Sequence, residues 1–161
     1  MLPQLIKATR FNRKKTNIYL VSALADLPQD SFDESELSYI KSRLKDKNQQ
    51  TVILNKLGHV SVVYQLASKE GTKPGQELEN CRKTGESLLS VINEHKTESV
   101  CLLDLGNNPA ETLALAEGMM LGNYQFLKYR KDRGEKESKL KKIEIISPGT
   151  NQVQVSELNI L

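Results

Sequence analysis

The sequence predicts an α/β domain, a three-layer α/β/α arrangement in which a mixed sheet of about five or six strands carries helices on both faces. Three observations point there. Short runs rich in β-branched and apolar residues alternate with stretches whose apolar residues recur at helical spacing. The run SVCLLDL at residues 99–105 is almost continuously apolar, as expected of a central strand covered on both sides. Residues 51–67, TVILNKLGHVSVVYQLA, read as a hairpin, which puts an antiparallel pair into an otherwise parallel sheet.

Taken in order, QLIKAT at residues 4–9 is a short edge strand and residues 16–24 a buried one. The turn residues of DLPQDSFDE follow, with Ser31 or Asp33 as the N-cap of a helix whose apolar positions are Leu37, Ile40 and Leu44 and whose acidic residues lie in its first turn. In the hairpin, residues 52–54 and 60–66 flank a turn at residues 55–58. A long helix over residues 76–94 buries Leu78, Cys81, Leu88, Leu89 and Ile92 and is interrupted by Gly85. After the central strand, GNNPAE makes a tight connection, with Asn108 as N-cap and Pro109 at the first helical position. A charged linker and a last strand at residues 142–147 complete the sheet, and the tail QVQVSELNIL fits either a strand or the start of a helix.

The helix after Pro109 contains LAEGMMLGNYQFLKYR, with two glycines that each cost about 1 kcal/mol relative to alanine in a helix interior. Leu113, Ala116, Met120, Tyr124 and Leu127 form one apolar stripe, and beside it Ala114, Gly118 and Gly122 recur every fourth residue. A ridge without side chains lets a helix approach its neighbour closely, and packing on the sheet is the expected compensation. The glycines therefore report packing and not chemistry.

The 161 residues suffice for one domain, residues 1–161, with a sizeable core. Apolar residues at 38% and charged residues at 27% exclude a disordered chain. A net charge of +3 is too small to argue for a nucleic-acid or membrane partner. No apolar run approaches the ~18 residues of a membrane span, and Cys81 and Cys101 are isolated, so the expected setting is cytoplasmic with reduced thiols. His59 and His95 lack metal-ligand spacing, and both read as structural or surface residues. Cys101, inside an apolar strand, reads as an inert thiol. Asp104 stands at a strand end with Asn107 and Asn108 behind it, where a small anion or nucleotide could sit against a helix N-terminus, although GNNP holds a single glycine and capping is the simpler reading. Residues 128–142 hold eight Lys/Arg and three Asp/Glu, a solvated linker or, in the sharper reading, a DNA-binding surface.

The glycine helix also resembles a segment near the end of the N-terminal domain of the leucyl aminopeptidase (cytosol aminopeptidase) family: Ala116-Glu117-Gly118, Gly122, Tyr124, Phe126 and the pair Tyr129-Arg130. The order of elements agrees over residues 16–147, including RKTGESLL at residues 82–89, while YQLASKEGTKPG stands where the family has a Gly-Leu-Gly turn. The resemblance implies a fold similar to ADP-ribose-binding macro domains and a non-catalytic domain that contributes to hexamer assembly and active-site access. It implies two divalent ions, zinc or manganese, in a separate C-terminal catalytic domain whose Asn-Thr-Asp-Ala-Glu-Gly-Arg motif has no counterpart here. The AEG at Glu117 lacks that motif's preceding aspartate and following arginine, so a salt bridge or solvent contact is expected for Glu117, and no catalytic, cofactor or metal residue is assigned. The expected partners are that catalytic domain and further copies of the chain. The alternatives are a macro-like module for a nucleotide or anion, or a DNA-binding surface. The apolar residues of the tail, Leu158, Ile160 and Leu161, would lack their usual partner and favour self-association.

Overall fold

The structure, a computed structural model, describes residues 3–8, 10, 12, 14–46, 49–56, 58–66, 75–129 and 140–147, without the side chains of residues 29 and 124–129. Six strands form one sheet: β1 (Gln4–Lys7), β2 (Asn17–Val21), β3 (Thr51–Lys56), β4 (His59–Gln65), β5 (Ser99–Asp104) and β6 (Lys142–Ile146). Their spatial order is β1-β6-β5-β2-β4-β3. Among the described residues the only antiparallel pair is β3 with β4, so the sheet is mixed for the reason the hairpin gave. β2 lies between β5 and β4, and all five of its residues are buried.

Among the described residues three α-helices cover the sheet: α1 (Glu34–Leu44), α2 (Gln76–Glu94) and α3 (Pro109–Tyr129). Alternation along β2 separates two cores. Ile18 and Leu20 point to the α2/α3 side with Val62, Leu102, Leu115 and Met119, while Tyr19 and Val21 point to the α1 side with Phe32, Ile40, Val63 and Leu103. α1 begins at Asp33, whose carboxylate accepts from the Glu36 amide at 2.7 Å while Glu36 accepts from the Asp33 amide at 3.0 Å, a reciprocal capping box. Ser31 instead ends a separate 3₁₀ turn, Gln29–Ser31.

Several boundaries move from expectation. β2 stops at Val21, because Ser22 and the 3₁₀ turn Leu24–Asp26 leave the sheet to begin the route to α1. The first hairpin strand is longer than expected, the second is shifted one residue toward the turn, and the turn is tighter than residues 55–58: pairing runs to Lys56 opposite His59, with Gly58 at φ +82°, a backbone conformation that suits glycine. α2 matches its expected span, and Gly75 precedes it at φ +93°. The tail, most of the basic segment and the Tyr124 and Leu127 side chains lie outside the described parts.

The glycine ridge has a different neighbour from the one expected. It packs on α2 and not on the sheet. A Cβ on Gly118 would fall on the backbone of Arg82, and one on Gly85 of α2 would fall on the carbonyl of Leu115 in α3. The two helices thus touch backbone to backbone at two reciprocal points, and Gly85 is a contact surface for α3 where the sequence suggested an interruption. Gly122 is looser: its absent Cβ would face Glu86 Cγ at 3.1 Å and Leu89 Cδ2 at 3.2 Å, both side-chain atoms. Arg82 Nε bonds Glu117 Oε2 at 3.1 Å across the same seam, so Glu117 is in the salt bridge expected of it. The pair is partly exposed and contributes at most about 1 kcal/mol.

The seam yields an ordering of stabilities. Gly118→Ala and Gly85→Ala gain about 1 kcal/mol of helix propensity but force the backbones apart, so each should lose about 2 kcal/mol net, whereas Gly122→Ala should stay within about 1 kcal/mol of the parent. Urea unfolding measures all three. A Gly118→Ala protein as stable as the parent would refute the contact.

Candidate functional site

In parallel sheets, ligands bind beyond the carboxyl ends of the strands, where chain connections leave on opposite faces. That point lies beside β2, which leads to α1 on one face while β4 and β5 on either side of it lead to α2 and α3 on the other. The residues there are Ser22, Ala23 and Asp26 after β2, Leu105 to Asn108 after β5, Leu66 after β4 and Ser147 after β6.

The edge is occupied by the protein's own groups. Asp26 turns back through its 3₁₀ turn, and one carboxylate oxygen accepts from two successive amides, Ser22 N at 3.0 Å and Ala23 N at 3.1 Å. Paired amides of this kind form a concavity that suits an anion; here the anion is Asp26. The gap between β2 and β5 is closed as well. Gly106 N and Leu105 N both donate to the Leu20 carbonyl, and a Cβ on Gly106 would come within 3.0 Å of Ser22 N. Only glycine allows this approach.

Asp104 is similarly committed. It is buried, and its two oxygens accept from Asn108 N at 2.8 Å and from the Ser147 hydroxyl at 2.6 Å, tying β5 to the end of β6 and to the start of α3. Asn107 takes the left-handed conformation at φ 53°, which turns the chain tightly enough for Asn108 Oδ1 to accept from Glu111 N at 3.3 Å. The sequence placed Asp104, Asn107 and Asn108 together, and the structure joins them as a cap. It adds Ser147 and Asp26, which sequence reasoning missed. Asp26 was readable in principle, being a carboxylate four residues beyond Ser22, at the exit of a buried strand.

The remaining candidates are dispersed. His95 follows α2 ahead of β5, and its Nδ1 lies 2.9 Å from the Val91 carbonyl, while His59 opens β4, separated from β5 by β2. Among the described residues, no group of three His, Cys, Asp or Glu side chains could hold a metal ion. Cys81 lies 3.8 Å from the Tyr64 hydroxyl, and both cysteines are buried free thiols. Burial pushes Cys81 up to about 11 and Cys101 up to about 12, Glu144 adding to the shift of the latter. No helix among the described residues is long and apolar enough to cross a membrane.

The described residues form a six-stranded mixed α/β fold similar to that of macro domains. Its backbone is similar to that of a tomato leucine aminopeptidase mutant, with a TM-score of 0.63 and 13% identity over 97% of this chain, which spans 35% of the tomato protein. It is similar also to the macrodomain of Thermus aquaticus DarG, with a TM-score of 0.51, 11% identity, and 91% of this chain and 99% of that one aligned. The macro domain of ganglioside induced differentiation associated protein 2 aligns at the same TM-score of 0.51 and 11% identity, over 96% of this chain and 82% of that one. At these identities the likeness establishes the fold. No protein-family model and no curated protein sequence matches the chain.

The thiols give a test with a defined sign. Both are protonated and enclosed in the folded state, so neither should react with a disulfide reagent at neutral pH until denaturant is added. Because folding raises both above the ordinary 9.0, the unfolded chain loses these protons first, and their contribution to stability should be lost as pH rises from about 9 through about 11 to 12. Rapid labelling of the native protein at pH 7 would contradict this burial.

Proposed function

We propose that the chain serves as the non-catalytic amino-terminal domain of a leucyl aminopeptidase-like metallopeptidase, with a structural role in oligomer assembly and in access to the active sites. The observation that carries this reading is the state of the carboxyl edge beside β2, where Asp26 fills the paired amides and Ser22 closes against Gly106. A binding module of this fold needs that edge open. A scaffold domain does not. The long alignment with the tomato enzyme, at a higher TM-score than either macro domain, agrees, as does the match of Ala116-Glu117-Gly118 and Gly122 to the family segment.

The described residues do not fit the two divalent ions of such an enzyme. Glu117, whose motif comes nearest, is spent on Arg82, and no other group of metal-type side chains converges among the described parts. Peptide hydrolysis in this reading belongs to a separate half that supplies the metal ligands.

The competing reading, a macro-like module for a nucleotide or anion, rests on the shared fold. Calorimetry separates the two: ADP-ribose should give flat heats with this chain, and a saturable heat would install the module reading instead. A zinc- or manganese-supplemented leucyl-anilide assay should likewise show no turnover by these 161 residues. For the positive side, native protein captured with an antibody to this domain and sequenced by mass spectrometry should carry an Asn-Thr-Asp-Ala-Glu-Gly-Arg segment, on the same polypeptide or in a tight complex. Capture of the domain without such a segment counts against the proposal.

A further inference from the structure

At the amino edge of the sheet, opposite the closed crevice, a cleft of about 350 Å³ opens between three segments. Lys14, ahead of β2, lines one side; Asp30, Phe32 and Asp33, leading into α1, line the second; Lys56 and His59, at the β3–β4 turn, line the third. Its walls are held firmly. Lys56 Nζ bonds Glu36 at 3.0 Å and the Ser31 carbonyl at 3.3 Å, and lies 5.0 Å from the centroid of the Phe32 ring. That ring is buried and stands edge-on to Tyr19, with centroids 5.0 Å apart.

Two buried polar atoms at this end lack hydrogen-bond partners: His59 Nε2 and Asn17 Oδ1. Asn17 is fully buried in β2, opposite Ser61, which lies two residues beyond His59 on the neighbouring strand. Its amide donates to the Tyr19 hydroxyl at 3.3 Å, and Tyr19 bonds the Ser31 side chain, so a polar relay runs from Asn17 to the cleft wall. Unsatisfied buried polar atoms are rare in folded proteins and concentrate at functional or hydrated sites. Here His59 itself lines a cleft in which both signs of charge face a common space, and Asn17 connects to that cleft's wall through Tyr19.

We propose that this cleft binds a small zwitterion, a free amino acid or a dipeptide, with its ammonium toward Asp30 and Asp33 and its carboxylate toward Lys14 and His59. The lining carries three carboxylates and two ammonium groups, so a polyanion such as a nucleotide meets more like charge than unlike, and an apolar ligand would strip water from charges without replacing it. A ligand carrying one of each sign matches both walls. The volume lies at the small end of ligand sites and suits a molecule of this size. The inference does not depend on the aminopeptidase reading.

The test is an amide NMR titration of the whole chain with L-alanine and with glycylglycine, beside acetate and ethylammonium, which carry one charge each. Both zwitterions should give saturable shifts centred on Phe32, Asp33, Lys56 and His59. Either single-charge control should bind about fivefold more weakly or worse, the upper end of what one exposed charge pair contributes. Lys14→Gln and Asp30→Asn, both at exposed positions, should each weaken the zwitterions by about fivefold while the rest of the spectrum stays that of the folded protein. Absence of saturable shifts up to roughly 10 mM, equal binding by the single-charge controls, shifts centred elsewhere, or unchanged affinity in both variants would each overturn the proposal.

Discussion

The approach of α2 to α3 is the constraint on which the rest of the molecule depends. Helices normally pack 8–10 Å apart because their side chains interpose. Gly85 and Gly118 remove the side chains at two reciprocal points, so Arg82 and Leu115 meet the opposing helix through their backbones. Such closeness allows weak Cα–H to carbonyl contacts and dense dispersion contact, which offset the propensity lost to glycine. It also narrows the pair, so that two long helices share one face of the sheet over Ile18, Leu20, Val62 and Leu102. Arg82 marks the seam twice, giving its backbone to Gly118 and its guanidinium to Glu117.

Closure recurs at the carboxyl edge. The same fold can leave a crevice beside its central strand, and this chain fills it with short side chains: Asp26 on the amides of Ser22 and Ala23, Asp104 between Asn108 and Ser147, Gly106 against Ser22. Asp26 closes a local turn on residues three and four positions back, whereas Asp104 also joins distant elements, Ser147 lying 43 residues away. The same bonds tie the ends of β2, β5 and β6 to the turns that follow them. A cleft lies at the other end, where the surface beside Phe32 brings groups of both charges together.

Much of this architecture was legible in the residues. The alternation of buried strands and amphipathic helices gave the α/β class, and 99–105 announced a central strand because both of its faces are apolar. Asn108-Pro109 fixed one helix start, since capping is a local property, and for the other the residues offered Ser31 or Asp33, between which the reciprocal bonds with Glu36 decide. The partner of the glycine ridge was not legible. Small residues every fourth position declare that something comes close without saying what, and Gly85, read alone in α2, looks like a defect until Leu115 is placed against it. Asp26 was hidden for a related reason: its bond needs β2 to end at Val21, and strand ends are set by tertiary context. The cleft at the amino edge draws on three segments between residues 14 and 59 and has no local signature.

Native-state hydrogen exchange tests the central claim most directly, because it reports the free energy of opening amide by amide. If the backbone seam holds the molecule together, the amides of α2 and α3 around Gly85 and Gly118 should exchange only through global unfolding, with the full stability of the domain, while the edge hairpin β3–β4 opens at lower cost. Exchange of those helical amides by local opening, well below the global value, would contradict the account.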